Sequence, residues 1–263
     1  MAENFGIGML EFMGYKDYFE KLKKGAENIR AIAAFALGQI GDKKTVAQLI
    51  ETLNTDTSSM VKIECIRSLM LIKDIKAKDA IEKALNDENP SVRAASAIAL
   101  GVLKAQDAIQ SLFGALHDIS TEVRVNAIDS LAEIGTKDVI DAISKALKDP
   151  EAMVRIHAVG ALGVISSINS IPKLIEMLDD SDAITKMMSA WSLSEIGEPA
   201  IDALIQLIEN SKGENRIFAL EALSLIKSSK AIPFIKKLTE TGEEWIKNIA
   251  KEALKKMQEY TKK

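Results

Sequence analysis

The chain has 263 residues, 47% of them hydrophobic and 27% charged, so it can bury a sizeable core and remain soluble. Its 34 basic residues stand against 38 acidic ones, a formal charge of −4, which argues against a general nucleic-acid binder. One cysteine and two histidines, His117 and His157, exclude an intramolecular disulfide and leave little for a metal centre or for acid–base chemistry. No apolar run approaches the ~18 residues of a membrane helix.

Residues 1–13 come first. Phe5, Ile7, Met9, Leu10, Phe12 and Met13 make the segment apolar, and Gly6 and Gly8 disfavour a long helix at its start. It is expected to cover the open end of the first repeat; the alternatives are a short disordered tail and entry into a groove of its own chain or of a neighbour. Its opening, Met1-Ala2-Glu3-Asn4, lacks the basic start of a secretion signal, so a cytoplasmic location is expected.

From Tyr15 onward the chain is periodic. Tyr15, Tyr18, Phe19 and Leu22 form a helical stripe. A Val-Arg or similar pair then recurs at Ile29-Arg30, Val61-Lys62, Val92-Arg93, Val123-Arg124, Val154-Arg155, Thr185-Lys186, Asn215-Arg216 and Ile246-Lys247, in steps of 30 to 32 residues. Eight residues after the first member of each pair sits a leucine, from Leu37 to Leu254. Each period holds two helices. In one, Val92, Ser96, Ala99, Leu100 and Leu103 share a side; in the other, Ala108, Ile109, Leu112, Phe113 and Leu116 do. Asp42, Asp74, Thr136, Ser167 and Ser228 are expected to cap the helix that follows each. Pro90, Pro150, Pro199, Pro172 and Pro233 suit first helical turns, where no N–H is needed. The expected fold is all-α: a right-handed α-solenoid of about eight antiparallel helix pairs over residues 14–258, followed by a polar tail at 259–263. One pair cannot bury its apolar side alone, so the pairs must stack.

Asp149-Pro150, Val154-Arg155, Ala161-Leu162-Gly163 and Ile196-Gly197 carry a resemblance to the HEAT-like repeats first associated with phycobilisome lyases, and it spans nearly the whole chain. The resemblance implies a HEAT-like, armadillo-type superhelix whose Val-Arg helices line the concave face. Two positions depart from it. Lys78 stands where Ile109 and Ile140 stand in their repeats, so packing there should be looser, and Asn215 replaces a valine. One branch of this class, the deoxyhypusine hydroxylases, binds iron through His-Glu pairs. Here Asp118 follows His117 and Ala158 follows His157, so that activity does not carry over.

Other chemistry is sparse. Gly6-Ile7-Gly8 lacks the rest of a phosphate-binding fingerprint. Cys65 falls on the packing side, as a small buried thiol. The basic column from Arg30 to Lys247 reads as pairing between repeats and at helix ends, rather than as a strip that tracks phosphates. No catalytic residue, cofactor or metal is expected.

The informative surface is a second stripe on the Val-Arg helices. With the first residue of each pair as zero, positions −1, +2, +3, +6 and +10 share an arc of about 100° at about 100° per residue. A solvated stripe should be polar. Here it carries Met153, Ile156 and His157, then Ile184, Met187, Met188 and Trp191, then Ile217, Phe218 and Leu225, and finally Trp245. Over all repeats the arc holds eight acids, among them Glu122, Asp129, Glu133, Glu195 and Glu221, against two bases, Arg67 and Lys256. An apolar strip with acidic neighbours suits an amphipathic basic helix or an extended peptide, and Met and Trp favour such contacts. The expectation is therefore a non-enzymatic scaffold that binds a protein or peptide of basic and apolar character, with no nucleic acid and no membrane; self-association through the groove or residues 1–13 fits as well. The alternatives are a pigment chaperone or lyase like the bilin lyases, whose tetrapyrrole propionates call for clustered Arg or Lys, and a nucleic-acid-binding HEAT-like protein, which calls for a basic concave face. If two apolar stripes on these helices instead meant burial, the strip would be core.

Overall fold

The computed structural model describes residues 15–136 and 138–261. Among them the chain forms sixteen α-helices and no strand. The odd-numbered helices are α1 Tyr15–Lys24, α3 Val46–Thr55, α5 Lys78–Ala84, α7 Ile109–Ala115, α9 Val139–Ala146, α11 Ile171–Met177, α13 Ile201–Asn210 and α15 Ile232–Thr241. The even-numbered ones carry the Val-Arg pairs: α2 Glu27–Ile40, α4 Ser59–Ile72, α6 Pro90–Val102, α8 Thr121–Ile134, α10 Ala152–Ile165, α12 Ala183–Ile196, α14 Asn215–Ile226 and α16 Glu244–Thr261. They make the eight expected pairs. Residues 1–13 lie outside the described residues, and α16 runs into the tail as far as Thr261. The chain divides into two compact units that meet in sequence at Gly135 and Thr136. α1–α8 build the first and α9–α16 the second.

Most odd helices are too short to hold in isolation, so packing must sustain them. In the first unit Leu49, Leu53, Ile81 and Leu112 of the odd helices are buried, as are Val61, Cys65, Leu69, Val92, Leu100, Val123 and Leu131 of the even helices, and each odd helix packs on the even helix that follows it. In the second, Ile143, Leu174, Leu204 and Ile235 of the odd helices and Val154, Leu162, Leu193 and Leu223 of the even helices are buried in the same way. Each fully buried side chain of this size contributes about 1.5–3 kcal/mol. These are the packing positions that the period predicts.

The connections follow from side-chain oxygens. Asp42, Asp74, Ser167 and Ser228 accept from the backbone N–H two residues on and start 3-10 turns that lead into the odd helices. Two expectations need correction. Thr136 Oγ1 is buried with no hydrogen-bond partner, so it caps nothing. Pro150 lies two residues before α10, outside its first turn, because Glu151 holds the extended N-cap conformation. Pro90, Pro172, Pro199 and Pro233 do sit in first turns.

The basic column is a ladder between repeats. Arg30 meets the Asp56 carboxylate through two N–H groups at 2.7 and 2.8 Å. Lys62 reaches Asp87 at 2.6 Å, and Arg93 holds Asp118 through two bonds of 2.7 Å. In the second unit Arg155 holds Asp180 at 2.8 and 2.9 Å, and Arg216 meets Glu243 at 2.7 Å. Arg93 also donates to the Asp87 and Glu88 carbonyls, and so ties its own helix start to the loop of the next repeat. The ladder breaks at Lys186, because Ser211 and Lys212 occupy the places where other repeats put an acid.

A second regularity runs over two repeats. Gly38 of α2 packs against Ser68 of α4, and a Cβ on Gly38 would lie 2.7 Å from the Ser68 Cα. Gly101 meets Ser130 and Gly163 meets Ser192 in the same manner, at 2.8 and 3.0 Å. Each serine hydroxyl donates to a carbonyl one turn before the glycine: Ser68 to Ala34 at 2.8 Å, Ser130 to Ala97 at 2.7 Å and Ser192 to Val159 at 3.1 Å. The pairs α2–α4, α6–α8 and α10–α12 are therefore in near backbone contact. Between α4 and α6, Met70 stands in the glycine's place and Ala99 in the serine's, and that lock is missing.

Candidate partner-binding site

In the second unit the arc on α10, α12 and α14 is largely open. Met153 is 54% exposed, Ile184 53%, Met187 50%, and Trp191 and Leu225 41% each. Ile156, His157, Met188, Ile217 and Phe218 are half-buried. On the same helices Val154, Ala158, Leu162, Leu193, Ala219 and Leu223 are fully buried, so each helix has a dry side and a wet apolar side.

Local contacts fix this surface. Gly160 leaves room beside Met188, whose Cε would sit 3.8 Å from a Cβ at that position. The unpaired rung, Lys186, places its ammonium 5.9 Å from the centre of the Phe218 ring, a cation–π contact in place of an ion pair. The Arg216 guanidinium covers the Trp245 ring at 4.6 Å. The Trp245 Nε1–H and Arg216 both donate to Glu243 Oε2, at 2.9 and 2.7 Å. That bond from Arg216 holds the Glu243 carboxyl below its ordinary range, against a small effect of burial. Trp245 thus joins α14 to α16 with one ring face, while 38% of the residue stays exposed.

The acids divide between the units. Exposed Glu195 and half-buried Glu221 flank the apolar arc of the second unit. Glu122, Asp129 and Glu133 are exposed on α8 and belong to the first unit. They accompany that unit's own apolar arc, which the sequence reading passed over: Ile32, Phe35, Met60, Leu71, Ile98 and Val102 are each at least 40% exposed. These residues occupy the same arc positions as the second unit's stripe, so the register that singled out Met187 and Trp191 also contains them.

Among the described residues no group of three His, Cys, Asp or Glu side chains is placed to hold a metal ion. Cys65 is buried. Burial pushes its thiol well above the ordinary range, and the Asp56 and Glu64 charges add to that; a nucleophile needs the opposite. Ellman's reagent is therefore expected to leave the native protein unlabelled and to take one thiol per chain after denaturation. Fast labelling of the native state would contradict this packing.

HEAT repeats match the chain over residues 17–100, 56–120, 112–194 and 171–255. No curated protein matches it. Several solved structures share the fold. A chain of the CpcE–CpcF complex of phycocyanin lyase from Nostoc sp. PCC7120 is 20% identical, with 94% of each chain covered and a TM-score of 0.53. YibA of E. coli is 19% identical, with 98% of this chain and 97% of that one covered, at 0.62. A chain of the Kap95p–RanGDP complex is 15% identical, with 92% of this chain and 40% of that one covered, at 0.70. At these identities the likeness is one of fold: an α-solenoid of helix pairs. No helix among the described residues is long and apolar enough to cross a membrane.

Proposed function

This chain belongs to the HEAT-repeat family, and from that premise we propose that it is a non-enzymatic scaffold whose second unit grips a basic, amphipathic helix or peptide. The observation that carries the reading is the exposure of Met153, Ile184, Met187 and Trp191 on one face of α10 and α12. Side chains of this kind stay in water at a cost unless a partner covers them. Ile156, Met187, Met188, Trp191, Ile217 and Phe218 form the proposed centre, with Glu195 and Glu221 at its margin. Covering a side chain of this size contributes about 1.5–3 kcal/mol. Six give about 9–18 kcal/mol gross, and association costs of about 4–15 kcal/mol leave binding in the micromolar range or weaker. The acids steer a basic partner and make its capture sensitive to salt. A tetrapyrrole is a poorer fit, since the arc offers its propionates only Lys256 at the far end of the unit.

The test is a titration with a synthetic amphipathic peptide of Leu and Lys, followed by calorimetry. Trp191→Ala combined with Met188→Ala is expected to keep the melting temperature and weaken binding roughly a hundredfold, as truncated hot-spot residues do. Unfolding of the double mutant would mean that the stripe is core. Unchanged binding would remove the site.

A further inference from the structure

The first unit opens a recess of about 360 Å³ on its own arc, between α4 and α6. It lies at the seam where Met70 and Ala99 replace the glycine and serine of the locked pairs. A methionine cannot admit the next helix as closely as a glycine does, so the two helices part on this side. Ile63, Ile66, Met70, Ala95 and Ile98 line the gap. Ile66 is buried, and Ile98 at the mouth is 41% exposed. The rim is charged. Arg67 is held by Glu64 at 2.8 Å, which leaves the positive charge already answered. Glu122 also lines the recess, and Asp129 and Glu133 follow it along α8, all exposed. The lining thus holds one base, Arg67, already paired with Glu64, and one acid, Glu122, beside an apolar slot.

We infer that this seam is a second docking site, which takes one bulky apolar side chain of a basic peptide segment. The apolar side chain enters between Ile66 and Ile98, and the neighbouring Lys or Arg meets Glu122. The charge of the rim selects a basic occupant over an acidic one, and the packing of the seam sets the size of the slot. The site shares its chemistry with the proposed role of the second unit but none of its residues, so each can fail without the other.

Both tryptophans, Trp191 and Trp245, belong to the second unit. Calorimetry needs no reporter side chain and counts both sites. The experiment titrates the full chain with the Leu/Lys peptide, its Leu/Glu counterpart and a Ser/Lys control. The wild type is expected to bind two Leu/Lys peptides by calorimetry. The Trp191→Ala, Met188→Ala variant should keep one of them, and that one should weaken roughly tenfold on Ile98→Ser, the loss expected when one such side chain is no longer covered. Glu122→Lys, a surface change that leaves the apolar wall intact, should weaken it as well. Equal binding of Leu/Glu or Ser/Lys peptide would overturn the chemistry assigned to the partner. A single site that vanishes with Trp191 and ignores Ile98 and Glu122 would overturn the seam and spare the second unit; a single site with the reverse pattern would do the opposite. Two further outcomes would replace the occupant and sink the proposal: a concentration-dependent dimer broken by Ile98→Ser, or peptide binding at the seam only after deletion of residues 1–13.

Discussion

Gly101→Ala is expected to destabilise the first unit by about 1–3 kcal/mol, while Gly114→Ala stabilises it by about 0.5–1 kcal/mol. Both glycines sit in helices, so alanine brings the same gain in helix propensity. The difference lies in what the new methyl group meets. At Gly101 it would fall 2.7 Å from the Ser130 Cβ and 2.8 Å from its Cα, and a backbone atom cannot swing away. α6 and α8 would have to separate, which stretches the hydrogen bond from Ser130 to the Ala97 carbonyl. At Gly114 a Cβ meets nothing within 4 Å. Thermal or urea unfolding of the two variants measures the contrast, and equal shifts in one direction would show that the close approach of α6 and α8 carries no weight.

Breaking one rung of the ladder should cost more. Arg93 and Asp118 have side chains only 12% exposed each, and they meet through two short bonds. Removing one partner strands the other charge in a largely dry place, which costs about 3–5 kcal/mol for a fully buried pair. Asp118→Ala is expected near the low end of that range, since some water reaches the pair. Arg93→Ala together with Asp118→Ala should cost less than the two single changes added, and the cycle isolates the coupling. The rung also fixes the direction of the acid response. The bonds from Arg93 hold the Asp118 carboxyl below its ordinary range, against burial, which raises it. The native state therefore binds the proton less readily than the unfolded chain. The rung's contribution is fully present above the ordinary aspartate pKa of about 3.9 and fades as pH falls through the lower native value. Unfolding midpoints measured from pH 6 downward should drop below about pH 4, and the drop should be smaller in the double variant. The same fall in both proteins would assign it to other carboxylates.

Much of this was legible in the sequence because the repeat is a count of residues. Helix period and repeat period together place Val92, Leu100 and Leu112 in the core, and the structure has them there. The pairing of the basic column was legible too, because from Arg30 to Arg216 each base has an acid 25 to 27 residues on, except at Lys186. What escaped depends on how near two helices come. Gly38, Gly101 and Gly163 read as ordinary small residues of the repeat, and only the serines opposite them turn them into contacts. The division at Gly135 escaped for the same reason, since residues 14–258 are one unbroken series by spacing. The stripe of the second unit was found as a direction on a helix; its exposure was not, because an arc of apolar side chains looks the same whether a neighbour covers it or not. Ile32, Phe35 and Ile98 share the register of Trp191 and the methionines but are less conspicuous side chains in the sequence.

Ser68, Ser130 and Ser192 are each 62 residues apart, so the array has a stride of two. Between α2 and α12 such an array can lose helix pairs cleanly only in twos. Excising one pair, α3 with α4, would set Gly38 beside Ala99, with no hydroxyl for the Ala34 carbonyl and an empty seam where a clasp had been. Excising two keeps every clasp matched to its partner. Lineages of such a chain are then expected to differ in length by couplets, and single-repeat insertions to survive only at the unclasped seams.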